Sequence, residues 1–266
     1  MTNWFSMHGR RALVTGASLS IGRSLALGFA DHGADVAVHY CAAADEAFGQ
    51  PDAAQETLAA VITRGVRGCL VECDLAPAGA ARQVVGEATT KLGGVDILVV
   101  CASVQSRTPF FDITCDEMQR QFDINFRATV ELLQAALPPM KARGWGRVLT
   151  IGSINQVRPE PELAIYAALK CAQYNLCINL ARQYAPFNVM INNLSPGLVA
   201  TERNRWRRQD ADAWRDIQAR SAAPMGRAGQ PDEMVGAALL LCSNAASYIA
   251  GTDVMITGGG HLPAVS

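Results

Sequence analysis

The chain has almost no net charge, no long apolar run, no paired-cysteine motif and few histidines, and each absence removes a class of function. Over 266 residues, 23 Lys and Arg against 24 Asp and Glu leave a formal charge of −1. That balance provides no electrostatic reason to expect nucleic acid as a partner. The one basic cluster, Arg203, Arg205, Arg207 and Arg208, is followed at once by Asp210, Asp212 and Asp216 and reads as a solvated helix face. No uninterrupted apolar stretch is long enough to span a bilayer, and the first ten residues lack the apolar core of a signal peptide. A cytoplasmic protein with no membrane partner is expected. The eight cysteines (41, 69, 73, 101, 115, 171, 177 and 242) show no C-x-x-C pair and no adjacent histidine. They are expected to be mostly reduced core thiols, Cys41 and Cys171 included. Four histidines without a ligand-like cluster leave no metal site to expect.

What is present is an alternation of short aliphatic runs with longer helical patterns. Residues 12–15, 36–39, 69–72, 97–100, 148–151, 190–194 and 254–257 read as seven buried parallel strands. Helical patterns at about 21–32, 52–64, 78–92, 114–142, 164–184 and 231–242 supply the crossovers. The fold expected is therefore α/β, a doubly wound seven-stranded parallel sheet in one domain over residues 1–266. Two segments fall outside the alternation. Residues 41–51 are a loop or short extra helix, and residues 198–224, leaving the carboxyl end of the sixth strand, are placed to close over a ligand as a lid.

Two motifs carry chemistry. Thr15-Gly16-Ala17-Ser18-Leu19-Ser20-Ile21-Gly22 follows the first strand and opens the first helix, where backbone N–H groups and a helix N-terminus hold a pyrophosphate. Tyr166 and Lys170 stand four residues apart, on one helix face. An ammonium held near a phenol favours the phenolate, and such a phenol exchanges protons with a carbonyl or alcohol oxygen. Asp74, just after the third strand, is positioned to accept from an adenine amino group or, alternatively, to shape a turn.

With these residues in hand, the chain resembles a short-chain dehydrogenase/reductase of the single-domain Y-x-x-x-K branch, over about residues 10–260. The family's pattern also fits Asn125 in Phe122-Asp123-Ile124-Asn125, Ser153 in Thr150-Ile151-Gly152-Ser153, Pro196-Gly197 with Thr201, Gly226-Arg227 and Gly258-Gly259-Gly260. The resemblance implies a Rossmann-type fold and a catalytic tetrad. Tyr166 exchanges the proton, Ser153 orients the substrate oxygen, Lys170 favours the phenolate and binds the nicotinamide ribose, and Asn125 holds a water in the relay. It further implies cofactor contacts from Gly16, Ser18, Ser20, Ile21, Gly22, His39, Tyr40, Asp74, Leu75, Ala102, Tyr166, Lys170, Pro196, Gly197 and Thr201. Three departures stand out. Ser20 occupies a usual glycine position, Val100-Cys101-Ala102-Ser103 replaces N-N-A-G with loss of bracing polar groups, and the connection between the second and third strands is longer than usual.

The expected activity is an NAD(P)-dependent oxidoreduction between a secondary alcohol and a ketone on a small polar substrate, a sugar acid or polyol. Residues 103–110, 151–158 and 201–204 look similar to gluconate 5-dehydrogenase-type members, with Gln105, Asn155, Gln156, Arg158 and Arg203 as candidate substrate contacts. The alternatives are a 3-oxoacyl-thioester reductase, which residues 224–231 resemble, and a non-catalytic nucleotide-sensing regulator. An enoyl reductase spaces its Tyr and Lys more widely. NADP is favoured over NAD, because Tyr40 stands where an NAD-selecting acid is usual; a strong NAD preference would instead point to Asp45 or Glu46. A homotetramer is expected by resemblance, with Leu132, Leu133 and Ile178 among candidate interface residues.

Overall fold

A computed structural model of the protein describes residues 3–221 and 223–263; Ala222, inside the expected lid, and the outermost residues 1–2 and 264–266 lie outside the described residues. The aliphatic runs become strands β1 (Arg11–Val14), β2 (Asp35–Tyr40), β3 (Gly68–Glu72), β4 (Ile97–Val100), β5 (Gly146–Ile151), β6 (Val189–Pro196) and β7 (Asp253–Ile256). They form one sheet in the order β3-β2-β1-β4-β5-β6-β7, with every neighbouring pair parallel. The helices are α1 (Ser20–Asp31), α2 (Ala42–Ala47), α3 (Ala53–Ile62), α4 (Ala80–Leu92), α5 (Cys115–Phe122), α6 (Ala128–Arg143), α7 (Ala164–Tyr184), α8 (Ala211–Arg220) and α9 (Val235–Cys242).

The period of two along each strand sorts side chains into two cores. Ala12, Val14, Val36, Val38, Ile97, Val99 and Leu149 join the core that includes Leu25 and Phe29 of α1 and Leu241 of α9. Their neighbours Leu13, Ala37, Leu98, Val100 and Val148 join the opposite core, with Val84 of α4, Leu132 and Leu133 of α6 and Cys177 of α7. A strand buried on both faces admits polar side chains only where they find partners, so these runs read as largely apolar. β1 lies between β2 and β4, so the winding reverses there and a crevice opens beyond the carboxyl ends of β1 and β4.

Several local expectations change in three dimensions. The long connection after β2 forms α2 before α3 begins. The helix expected over 114–142 is broken by a π turn at Asp123–Arg127, which carries Asn125. The expected lid folds into a short 3-10 helix at Glu202–Arg208 followed by α8, which Asp210 caps by accepting from the Asp212 and Ala213 amides at 3.0 Å each. The cysteines are less buried than expected: Cys177 and Cys242 are buried, Cys41, Cys69, Cys73 and Cys101 are half-buried, and Cys115 and Cys171 are exposed. Leu132 and Leu133 belong to the core, which leaves Ile178 as the exposed member of the three proposed interface residues. Among the described residues, no helix is long and apolar enough to cross a membrane and no cluster of metal-ligating side chains occurs.

Candidate active site

The crevice is a cleft of about 1020 Å³. At its phosphate end the loop between β1 and α1 is compressed by close backbone approach. A Cβ at Gly22 would sit 2.0 Å from the Gly16 carbonyl oxygen, and Gly16 itself has φ +63° with Ala102 close by. Glycine at both positions is thus required by backbone packing, and it leaves room for a pyrophosphate against the first turn of α1. Gly16, Ser18, Leu19, Ser20, Ile21 and Gly22 line the cleft. Ser20 adopts φ +52° despite its side chain, and its Oγ accepts from the Glu202 amide at 3.0 Å.

The lost polar bracing after β4 is replaced from three sides. The Thr15 hydroxyl donates to the Val99 carbonyl and accepts from the Cys101 and Ala102 amides at 2.9 and 3.1 Å. The Asn125 side chain accepts from the Val104 amide at 3.0 Å and donates to its carbonyl at 2.8 Å. Arg203, arriving from the lid, donates to the Ser103 carbonyl and hydroxyl at 2.8 Å each.

The part of the cleft where the sequence places adenosine is lined by His39, Cys41, Ala44, Asp45, Phe48, Cys73, Asp74 and Leu75. The buried His39 has both ring nitrogens engaged: Nδ1 accepts from the Gly16 amide and Nε2 pairs with the Cys73 carbonyl, each at 3.1 Å. Burial pushes its pKa down to about 4, so it is a neutral brace between two loops. Tyr40 does not reach the cleft; its hydroxyl donates to Glu72 across the β2–β3 pair at 3.1 Å. Asp74 lines the cleft and also shapes a turn, accepting from the Ala76 amide at 2.9 Å. Asp45, carried by α2, is 3 % exposed. One of its oxygens accepts from the Ser18 hydroxyl at 2.8 Å, and the other has no partner among the described residues. Burial raises its pKa, and the Ser18 bond opposes the rise. No arginine or lysine lines the cleft between Gly16 and Leu75.

At the other end Ser153, Tyr166 and Lys170 converge, presented by the end of β5 and by α7. Lys170 is 2 % exposed. Its Nζ donates to the Ile151 carbonyl at 2.7 Å and to Gln173 at 3.1 Å and lies 5.7 Å from the Tyr166 ring centroid. Burial lowers its pKa, and Tyr166 opposes the drop. Ser153 Oγ accepts from the Asn155 amide at 3.1 Å and from the Asn155 side chain at 3.2 Å. Asn125 is buried behind Val104 rather than on the cleft wall. It is tied to Lys170 through Thr129, which donates to the Asn125 carbonyl at 3.0 Å, and Gln173, which donates to Thr129 at 2.9 Å.

Sequence reasoning missed Thr129 and Gln173, although each lies one helical turn from a flagged residue. Gln156, expected as a substrate contact, is not on the cleft wall and instead joins a network beneath Ser153 whose other members sequence reasoning missed. Gln156 accepts from the Ser153 amide at 3.0 Å and donates to Asp253 at 3.1 Å, while Asn193 and Ser195 donate to Asp253 at 2.8 and 2.9 Å. Asp253, Asn193 and Ser195 lie far from Ser153 in the chain, so no local spacing signals them. A Cβ at Gly152 would sit 2.1 Å from Gln156 Oε1, so the network and the glycine require each other.

Pro196, Gly197 and Thr201 line the cleft where the lid begins, and Thr201 caps the 3-10 helix in a reciprocal box with Asn204. The lid arginines are not all a solvated face. Arg203 and Arg207 line the cleft, as do Arg107, Arg120, Arg158 and Arg220, together with Glu160, Glu162 and Glu202. Arg107 pairs with Glu160 at 2.7 Å. Burial, then the nearby Arg107 and Arg220, holds Arg207 below its usual pKa against the pull of Glu160.

The residues present fit a dinucleotide: a loop whose glycines admit phosphate, an unpartnered carboxylate oxygen at the adenosine end, and a proton-transfer group at the far end. The comparisons agree. The family model described as Enoyl-(Acyl carrier protein) reductase matches residues 16–261. L-rhamnose 1-dehydrogenase (NAD(P)(+)) of Sphingomonas sp. strain SKA58 is 31% identical over 254 residues, covering 95% of this chain and 96% of that one. The crystal structure of a 3-oxoacyl (acyl-carrier-protein) reductase from Agrobacterium tumefaciens C58 with NADP bound is 42% identical, with a TM-score of 0.89 over 96% of this chain and 95% of that one. A gluconate 5-dehydrogenase from Burkholderia cenocepacia J2315, in complex with NADP and tartrate, is 30% identical with a TM-score of 0.87 over 98% and 99% of the two chains. Matched along nearly its whole length, with the glycine loop and the Tyr-Lys pair meeting in one cleft, the chain belongs to the short-chain dehydrogenase/reductase family.

Proposed function

We propose that this NAD(P)-dependent alcohol dehydrogenase or ketoreductase acts on a small, hydroxylated, anionic substrate of the sugar-acid class, with polyols as its neutral analogues. The observation that carries the reading is that the cleft wall contributed by residues after Leu75 holds six arginines against three glutamates, with Arg107, Arg207 and Arg220 near enough to repel one another. A carboxylate entering there relieves the crowding of Arg207 by Arg107 and Arg220, and its hydroxyls meet Asn155 and Gln105.

The nicotinamide of bound NAD or NADP supplies the hydride acceptor or donor. The chain's own residues manage the proton. Both acceptor positions of Ser153 Oγ are used by Asn155, so its remaining bond is donation, and it donates to the substrate oxygen. Tyr166 gives or takes the proton at that same oxygen. Lys170 has spent two of its three N–H bonds on Ile151 and Gln173; the third is left for the ribose, while its charge favours the phenolate. Asn125, held by Val104 and linked through Thr129 and Gln173 to Lys170, positions the relay behind the ammonium.

A 3-oxoacyl-thioester reductase is the second reading, favoured by the 42% identity to the Agrobacterium tumefaciens structure that carries that description. A turnover screen of aldonates, polyols of equal carbon number and 3-oxoacyl thioesters, with both nucleotides, separates the two. The proposal expects kcat/KM for an aldonate at least about tenfold above that for the matching polyol, about 1.4 kcal/mol of recognition. Turnover confined to thioesters rejects it. The reading includes a cytoplasmic homotetramer, supported by eight unpaired thiols and by exposed apolar side chains at Met118, Phe122 and Ile178 on α5 and α7.

A further inference from the structure

Ser20 is the one residue of the phosphate loop that both departs from the family's glycine pattern and holds a left-handed backbone, φ +52°, that a side chain disfavours. The side chain that makes this conformation costly also makes a contact no glycine could make. Its Oγ accepts, at 3.0 Å, the amide proton of Glu202, which lies 182 residues away in the chain at the first turn of the lid's 3-10 helix. That amide is one of the donors a helix start leaves unpaired, and Ser20 satisfies it from another element. The lid is therefore seated on the phosphate loop at one point and, through Arg203, on Ser103 and Gln105 at another.

The Ser20 oxygen accepts from Glu202, but its own proton has no acceptor among the described residues, and the side chain lines the cleft beside the first turn of α1. We propose that Ser20 is a positioning residue that couples nucleotide binding to seating of the lid: its oxygen holds the Glu202 amide while its proton is donated to a phosphate oxygen of the nucleotide. A hydroxyl that donates to an anion becomes a better acceptor, so phosphate on one side strengthens the grip on the lid on the other. By linkage the coupling is reciprocal, and a seated lid tightens nucleotide binding by the same factor. The inference rests on nucleotide use and not on the sugar-acid reading.

Two variants separate the hydroxyl from the backbone. Ser20→Gly removes the hydroxyl and relieves the left-handed strain, whereas Ser20→Ala removes the hydroxyl and keeps it. Hydrogen exchange across residues 198–208, with and without saturating NADP and in parallel NAD, reads lid seating. Tryptic cleavage at the lid arginines is a second probe, and titration gives the nucleotide Kd. In the wild-type protein nucleotide slows exchange at Glu202 about tenfold or more. In both variants that nucleotide-dependent slowing falls below about twofold, and the nucleotide Kd weakens about five- to tenfold, the loss of one hydrogen bond to a charged group. A purely structural role for Ser20 separates the variants instead, with Ser20→Gly behaving as wild type. That result, or retention of nucleotide-dependent protection in either variant, overturns the proposal, as does a wild-type lid indifferent to nucleotide. None of these readouts uses the substrate, so they succeed or fail apart from the substrate assignment.

Discussion

Tyr166 and Lys170 bring to one helix face a phenol and an ammonium that has already given two of its N–H bonds to Ile151 and Gln173. Tyr166→Phe is expected to lower kcat by at least about 100-fold with nucleotide Kd changed less than about threefold, because the hydroxyl acts in the transition state rather than in nucleotide binding. Lys170→Ala is expected to lose both rate and nucleotide affinity; steady-state kinetics and nucleotide titration check the pair. Asp45 lines the cleft with His39 and Asp74, and one of its oxygens has no partner among the described residues; we propose that this carboxylate lies at the adenosine ribose of a bound dinucleotide. An ionised carboxylate there accepts from ribose hydroxyls and opposes a 2′-phosphate. Asp45→Ser is therefore expected to raise the ratio of kcat/KM with NADP to that with NAD by about tenfold, and an unchanged ratio removes Asp45 from cofactor choice. The notion of an acid in this loop was legible from sequence, but its burial against Ser18 was not.

At the scale of elements, β5 and β6 do more than carry the core. Their carboxyl ends hold Gly152, Asn193 and Ser195, which join Gln156 and Asp253 in the network that supports the Ser153 backbone. Because a Cβ at Gly152 would lie 2.1 Å from Gln156 Oε1 and 2.5 Å from Asn193 Nδ2, Gly152→Ala forces that network apart. The expected cost is about 1–3 kcal/mol in urea denaturation, together with a fall in kcat from a displaced Ser153. Wild-type stability and turnover in this variant would show that the network yields without moving Ser153. The π turn at Asp123–Arg127 is of the same kind: a break in an otherwise continuous helical pattern, placed where the Asn125 side chain clamps Val104. Apolar periodicity over 114–142 announced a helix, yet nothing in that periodicity marks where an extra residue enters the turn.

For the whole molecule, His39 links stability to pH. Its folded pKa of about 4 lies below the unfolded value near 6.5, so the unfolded chain takes up a proton that the folded protein refuses. The contribution is fully present above about pH 6.5 and is lost as pH falls from there toward about 4, by up to about 3 kcal/mol. His39→Gln retains one acceptor for Gly16 and one donor for Cys73 but does not titrate, so its denaturation midpoint is expected to fall less over that window. Equal slopes for the two proteins would assign the acid sensitivity to other groups. Association is the second property at this scale. Apolar side chains left exposed on α5 and α7, including Phe122 and Ile178 at 40% each, are expected to be covered in a homotetramer, and light scattering showing a monomer at micromolar concentration rejects it.

The order of strands and helices, the glycine loop and the Tyr-x-x-x-Lys pair were determined by the sequence alone, because each is local: a period of two or 3.6, a turn that only glycine makes, a spacing of one helical turn. The all-parallel sheet followed from runs apolar on both faces joined by helices. What the tertiary structure decided is which residue answers which across the chain. Tyr40 turns to Glu72, His39 braces Gly16 and Cys73, Arg203 and Arg207 enter the cleft, and Ser20 meets Glu202. These pairings join segments brought together when the strands line up in one sheet and the lid folds back over their carboxyl ends. A hydrogen bond depends on distances of a few tenths of an ångström between such segments, and a linear pattern carries no record of those distances.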